Sequence, residues 1–315
     1  MATEAMSAKP IRLAIIGVGK IARDQHLPAI ANDPRFELVA AVSRNAVVDG
    51  VDNYHDIAEL LAAGHDLDAV SICTPPVGRS AIAMAALDAG LDVMMEKPPA
   101  ATLSEVARIE AHAIAAGRSL FATWHSREAA GVAPARAWLA DRTVERVTIA
   151  WREDIRRWHP GQDWILEPGG MGVFDPGINA LSIVTHLLPR PFALRKATLH
   201  TPSNRQAPLA ATLTFADTDN VPVTAEFDFL QTGHQCWDIA VETTQGTLML
   251  SEGGAKLHID GVAHSVPAAS EYDGLYARFV QLVRAGESEV DTTPFVHVAD
   301  VFLLGERQVT APFAW

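Results

Sequence analysis

Short, unbroken apolar runs punctuate the first part of the chain. Residues 11–16, 36–42, 69–73, 93–95 and 120–123 read as strands buried on both faces, which is how the strands of a parallel sheet read. Helical patterns lie between them. One starts over residues 23–30. A second covers 80–89 and closes at Gly90. A third opens at Thr102, with Glu105 three residues on as a capping box, and runs to Gly117. Strand and helix in alternation predict a doubly wound parallel α/β sheet over residues 11–126.

The pattern changes after Ser126. A helix is expected over residues 132–140 and a strand over 144–151. Residues 152–168 are polar, aromatic and proline-bounded, and read as a long functional loop. Helical periodicity returns over 170–188. Longer strands fill 195–251, with turn signals such as Asp217-Thr218-Asp219-Asn220, as in an antiparallel sheet. Helices over 272–285 and 294–306 finish the chain. The expected organisation is a flexible arm over residues 1–10, a Rossmann-type dinucleotide domain over 11–126, and an α+β substrate domain over 127–315 with a largely antiparallel sheet.

The first strand runs into Gly17-Val18-Gly19-Lys20-Ile21-Ala22, a G-x-G-x-x-A fingerprint between strand and helix. Gly17 permits the tight turn. Gly19 lets the backbone approach a pyrophosphate, and Ala22 allows close helix–strand packing. The free N–H groups of Lys20, Ile21 and the helix start suit phosphate. The second strand ends at Ser43-Arg44, where the fold meets the adenosine ribose. A hydroxyl and a guanidinium there, with no carboxylate, suit a 2′-phosphate. NADP is therefore the expected cofactor, with NAD as a second. Cys73-Thr74-Pro75-Pro76 and Glu96-Lys97-Pro98-Pro99 follow the next strands, at the sheet edge where ligands bind in open parallel sheets.

Composition adds exclusions. The formal net charge is −13, from 25 basic and 38 acidic residues, which argues against nucleic acid or an anionic membrane as partner. The two cysteines, Cys73 and Cys236, have no metal-ligand spacing and no disulfide framework. No apolar stretch reads as a membrane span or signal peptide, so the expected compartment is the cytoplasm. No zinc, calcium or serine-hydrolase motif occurs, and no metal is expected.

The fingerprint, Thr74-Pro75-Pro76 and Glu96-Lys97-Pro98 together resemble the glucose–fructose oxidoreductase, inositol dehydrogenase and MocA family. Residues 122–127, Arg157-Trp158-His159-Pro160-Gly161 and residues 174–180 look closer still to its aldose 1-dehydrogenases acting on L-arabinose or D-galactose. The resemblance implies oxidation of a sugar at C1 to a lactone, with hydride passing to nicotinamide C4 and a proton leaving O1. It implies Lys97 at the reacting oxygen, with Glu96 orienting the cofactor or Lys97. Asp175 and Asn179, four apart on a helix, share one face. Many relatives carry histidine at the second position, but Asn179 cannot exchange a proton usefully. The base is then Asp175 paired with Lys97, with Lys97 alone as the second choice. Asn179 would hydrogen-bond O1 or the ring oxygen. A capping role for Asp175 is the competing reading.

The 152–164 loop has the composition of a sugar site. Glu153 and His159 can pair with hydroxyls, Trp158 offers a face to pyranose C–H groups, and Trp237 and His125 are further candidates. The other histidines, such as His65, His112 and His258, read as ordinary residues. The implied partner is a small sugar, and the protein a monomer or homodimer. An inositol or polyol dehydrogenase, or a non-catalytic sugar or cofactor sensor, is the alternative.

Overall fold

The computed structural model describes residues 9–268 and 270–315. The expected arm therefore lies, except for Lys9 and Pro10, outside the described residues. The described residues form two compact units, one of residues 9–123 and 272–291, the other of residues 124–268, 270–271 and 292–315.

The first unit begins with β1 (Ile11–Ile16), α1 (Leu27–Asn32), β2 (Phe36–Val42), β3 (Asp52–Tyr54), α2 (Ile57–Ala62) and β4 (Ala69–Ile72). It continues through α3 (Arg79–Asp88), β5 (Asp92–Met95), α4 (Leu103–Ala116) and β6 (Leu120–Ala122). The strands form one parallel sheet in the order β3-β2-β1-β4-β5-β6. Leu13, Ile15, Val70, Ile72, Val93 and Met95 are buried, as strands covered on both faces require. The order reverses between β1 and β4, so the loops after those two strands flank the switch-point crevice of a dinucleotide fold. Thr102 caps α4, its side chain accepting from the Glu105 N–H, while the Glu105 carboxylate accepts from the Ala101 N–H at 3.0 Å.

The second unit contains α5 (Val132–Leu139), β7 (Val144–Arg152), α6 (Ile155–Trp158), α7 (Phe174–Leu187), β8 (Phe192–Pro202), β9 (Ala210–Asp217) and β10 (Pro222–Asp228). After these come β11 (Cys236–Thr243), β12 (Gly246–Ser251), β13 (Lys256–Ile259) and β14 (Val262–His264). Then α8 (Glu271–Ala285) returns the chain to the first unit from Tyr272 on, before α9 (Thr293–Leu304) and β15 (Glu306–Thr310) rejoin the second. The nine-stranded sheet runs β14-β13-β12-β11-β7-β10-β9-β8-β15. It is largely antiparallel, with parallel pairs at β7–β10 and β8–β15. Among the described residues no helix is long and apolar enough to cross a membrane.

The structure differs from the expected single stretch 127–315. One face of α8, carrying Tyr272, Leu275, Tyr276, Phe279 and Leu282, packs into the first unit's core with Ile11, Leu13, Phe36, Met94 and Phe121. That apolar stripe is satisfied by the parallel sheet, and chain order alone does not reveal which sheet takes it. Residues 152–168 are also more ordered than an open loop. They hold α6, capped by Asp154, and a 3₁₀ turn over Asp163–Leu166. The expected final helix stops at Leu304, and residues from Glu306 form an edge strand instead.

Candidate functional site

In the first unit, Gly17 follows β1 with φ +96°, and its N–H donates to the Val42 carbonyl at 2.8 Å. A side chain there would begin 2.7 Å from the Thr74 amide nitrogen and 2.9 Å from the Cys73 carbonyl carbon. Glycine is thus needed for conformation and for close approach to the loop after β4. A Cβ on Gly19 would meet nothing within 4 Å. The backbone beyond Gly19 is open on the side where a helix N-terminus presents its amides. The Thr74 hydroxyl is buried with no hydrogen-bond partner, so it can take a ligand group. Arg44 is exposed, and Ser43 anchors its turn by donating its N–H to the Tyr54 carbonyl at 2.9 Å. Lys20 is exposed and pairs with Asp24 one turn on, and Ile21 is 37% exposed. Cys73 turns its side chain inward among Ile15, Val18, Ala22 and Ala41. Any contact it makes with a cofactor runs through its main chain. Open backbone and an unsatisfied hydroxyl together fit the phosphates of a dinucleotide.

Pro75 and Pro76 carry the chain over the end of β4, and β5 ends at Glu96-Lys97-Pro98, with a cis Lys97–Pro98 bond. Glu96 is buried, and its Oε2 accepts from the Lys97 N–H at 2.8 Å. Lys97 is half-buried. The structure adds Arg79, which the sequence reading passed over. Its guanidinium is buried at the start of α3 and donates to the carbonyls of Thr74, Glu96 and Pro98. One cation thereby joins the two loops that bear the candidate residues. An arginine beside Gly78, just past a proline turn, was the only signal, and it is a common one.

In the second unit a polar cluster forms at one end of the sheet's inner face. Trp151 is buried on β7, and Glu153 lies two residues on, so pleating turns both to the same side. Trp237 on β11 pairs in register with Trp151. Its indole N–H donates to Glu153 Oε2 at 2.7 Å. His159 Nε2 stands 3.8 Å from Glu153 Oε1 and 3.7 Å from Asp175 Oδ2. Asp175 is 4% exposed, in the first turn of α7, and the half-buried Asn179 lies one turn on along the same face. Gly177 allows α7 this close to the sheet, because a Cβ there would lie 2.8 Å from the Phe227 ring. Trp158 is 37% exposed, meets Trp237 edge-on with centroids 5.7 Å apart, and donates its N–H to Gln235 Oε1 at 2.7 Å. His125 pairs with Glu271. Gln235 and Glu271 were not anticipated, since each acts through a partner distant in sequence.

The profile of the oxidoreductase family with an NAD-binding Rossmann fold matches residues 11–123. Over 311 residues the chain is 47% identical to galactose 1-dehydrogenase of Pseudomonas fluorescens, covering 95% of this chain and 97% of that one. The chain belongs to this oxidoreductase family. Similarity extends to a crystal structure of a D-galactose-1-dehydrogenase protein from Rhizobium etli, with a TM-score of 0.94 and 55% identity over 98% of this chain and 99% of that one. A 3-ketoreductase from Actinomadura kijaniata, in complex with NADP, shares the fold with a TM-score of 0.84 at 20% identity, covering 96% and 100% of the two chains. The family match covers the glycine turn, Thr74 and the Glu96-Lys97 strand end. The two galactose-dehydrogenase comparisons extend through the second-unit cluster as well.

Proposed function

We propose that this protein oxidises an aldopyranose, D-galactose or L-arabinose, at C1 to the aldonolactone, preferring NADP and accepting NAD. The observation that carries this reading is the second-unit cluster. Two buried carboxylates flank one histidine, beside two tryptophans at 79° to each other. A pyranose has alternating hydroxyl edges and a C–H face, and such a site serves both. The likeness to two galactose dehydrogenases over nearly the whole chain supports the substrate class.

Each residue then has a task. The Gly17–Ile21 turn receives the pyrophosphate, while Ser43 and Arg44 receive the 2′-phosphate, and the main chain of Cys73 through Pro76 with Glu96 borders the ring. The nicotinamide, when bound, supplies the hydride-accepting carbon. Lys97 donates to O1 and favours its anionic form. The proton of O1 goes to the Asp175/Lys97 pair. Asn179 donates to O1 or the ring oxygen, which holds one anomeric orientation. Glu153 and His159 bind hydroxyls, Trp158 covers the C–H face, and Trp237 holds Glu153 in place. His125 is the further residue assigned to a sugar hydroxyl. The protein works as a monomer or homodimer in the cytoplasm on a free sugar.

The test is initial rates for a sugar panel with NADP and with NAD, followed by trapping of the product with hydroxylamine. Galactose or arabinose should reduce the cofactor and yield a trappable lactone. No turnover with any aldose, or a ketone from a polyol, would overturn the reading.

A further inference from the structure

His26, Tyr272 and Tyr276, which form a buried polar cluster with Glu96 in the first unit, have no task in the scheme above. His26 is fully buried and lies on the helical segment that begins at the glycine turn, where the backbone makes one wide π-turn over Ala22–His26. Such a turn gives up regular helix geometry, and it is found frequently at functional sites. Here the ring is aimed at the end of β5. His26 Nε2 lies 3.1 Å from Glu96 Oε1, and Nδ1 lies 2.9 Å from the Tyr276 hydroxyl. The Tyr272 hydroxyl donates to the same Glu96 oxygen at 2.6 Å, and Tyr276 donates to Ser71 Oγ at 3.2 Å. The remaining Glu96 oxygen accepts from the Lys97 main chain. The helix after the fingerprint, the strand end bearing Lys97, and α8 thus meet through one imidazole and one carboxylate.

A carboxylate this deep needs a compensating charge. The groups facing the His26 ring are Ser71 and Cys73 from the β4 segment, Glu96 from the end of β5, and Tyr272 and Tyr276 from α8. Burial opposes a charged ring, but Cys73, Tyr276 and Glu96 outweigh it and hold His26 well above the ordinary histidine range. Burial pushes the Tyr276 phenol upward.

We infer that His26 and Glu96 form a buried ion pair that positions Lys97, tying the lysine to the helix whose N-terminus receives the cofactor pyrophosphate. Both are positioning residues, and the inference rests on the reading of Lys97 as the group at O1. Its electrical consequence is specific. The intact pair is neutral overall. His26→Gln leaves an uncompensated negative charge one residue from Lys97, so nearby groups hold their protons more tightly. Glu96→Gln leaves a positive charge and does the reverse. The double variant is neutral again.

The experiment measures the pH profile of kcat and KM for sugar oxidation, with NADPH binding followed by fluorescence in the same variants. Each single variant should lose kcat by about 10–100-fold with KM changed less than about threefold, as for a misplaced group that acts in the transition state. The kcat limb should move by about half a pH unit, upward in His26→Gln and downward in Glu96→Gln, and return in the double variant. NADPH should still bind each variant. In the protein without cofactor, the proton NMR signal missing from His26→Gln should keep its imidazolium position through neutral pH. A fall in kcat with the limb unmoved would mean packing alone and overturn the inference, as would a neutral His26 at pH 7. If the single variants fail to bind NADPH, Tyr272→Phe decides. It removes one donor to Glu96 at nearly constant shape, and kcat should fall about 3–10-fold with binding retained. An unchanged kcat would overturn the inference. A wild type without sugar turnover, or Lys97→Ala at full rate, would overturn the functional reading and the inference with it. Normal wild-type turnover with unaffected His26 and Glu96 variants would sink the inference alone.

Discussion

The two glycines of the fingerprint should respond to alanine in opposite ways. At Gly17 the backbone is left-handed, φ +96°, and the new Cβ would lie 2.7 Å from the Thr74 amide and 2.9 Å from the Cys73 carbonyl carbon. Both are main-chain atoms at the end of β4, so relief requires moving a strand end, not a flexible side chain. Forcing alanine into that conformation costs about 1–2 kcal/mol, and overpacking against main chain about 1–3 more. A total near 3 kcal/mol should lower the thermal midpoint by about 5–10 °C, for a unit of this size. Gly19 has no such strain and nothing within 4 Å of the added methyl. Gly19→Ala should therefore change stability by less than about 0.5 kcal/mol. Its methyl would instead stand where the pyrophosphate is proposed to approach, weakening NADPH by about 10–100-fold, or about 1.4–2.8 kcal/mol. Differential scanning calorimetry without cofactor, and NADPH titration at fixed ionic strength, separate the two effects. If Gly19→Ala bound NADPH like the wild type, the cofactor would not cross the turn there. If Gly17→Ala melted like the wild type, the close approach to Thr74 would not carry the energy assigned to it.

Arg44→Asp should weaken NADP by about 10–100-fold while sparing or improving NAD, because one charge-assisted contact to a phosphate is lost and a carboxylate meets the ribose hydroxyl. The ratio of kcat/KM for the two cofactors checks it. Asp175→Asn should lower kcat by about 10²–10⁴-fold with NADPH binding kept, as for removal of a proton acceptor. Single-turnover rates measure this without product release. Acid stability should report Asp217. Burial alone would raise its carboxyl, but the Val221 and Asp219 amides and the Arg190 guanidinium win and hold it below the usual range. A depressed folded value means that its stabilisation is present above the unfolded carboxylate pKa of about 4 and is lost as pH falls through the lower folded value. Arg190→Ala should lower the neutral-pH thermal midpoint and move the acid-unfolding midpoint upward, with the difference from the wild type shrinking as pH falls through the folded value, read by circular dichroism.

The first unit was legible because its signals are local. Five of the six parallel strands are short apolar runs, whereas the edge strand β3, Asp-Asn-Tyr, is polar and was not anticipated; Gly17 and Gly19 sit between strand and helix, and Thr102 with Glu105 caps a helix three residues apart. None of these needs a partner remote in sequence. The capping motif illustrates this, since Thr102 accepts from the Glu105 N–H as the letters imply, while the Glu105 carboxylate reaches one residue further back, to the Ala101 N–H. The second-unit cluster was partly legible. Glu153 and His159 stand six residues apart and drew attention together by composition, whereas their approach to Asp175 depends on α7 crossing the sheet at Gly177. Tyr272 and Tyr276 were invisible as functional residues. Four apart on an amphipathic helix, they read as ordinary core, and their hydroxyls matter only because α8 returns to the parallel sheet. The same holds for His26, whose role depends on a π-turn that no residue pattern announces.

The residues that went unnoticed share a physical cause. Arg79, His26 and Tyr272 each satisfy a buried group lying at least 17 residues away, and for Tyr272 the separation is 176. Periodicity reports which face of an element is apolar, but it carries no information about which polar group that face will cover. A buried carbonyl or carboxylate must nevertheless find a donor, because leaving it unpaired costs about 1–3 kcal/mol or more. Glu96 therefore implied a hidden donor as soon as its strand was recognised as buried, and so did the carbonyls of Thr74 and Pro98. The productive question for such a strand end is which distant side chain supplies the missing hydrogen bond. In this fold the answers converge on the residue pair Glu96-Lys97, where the proposed chemistry also lies.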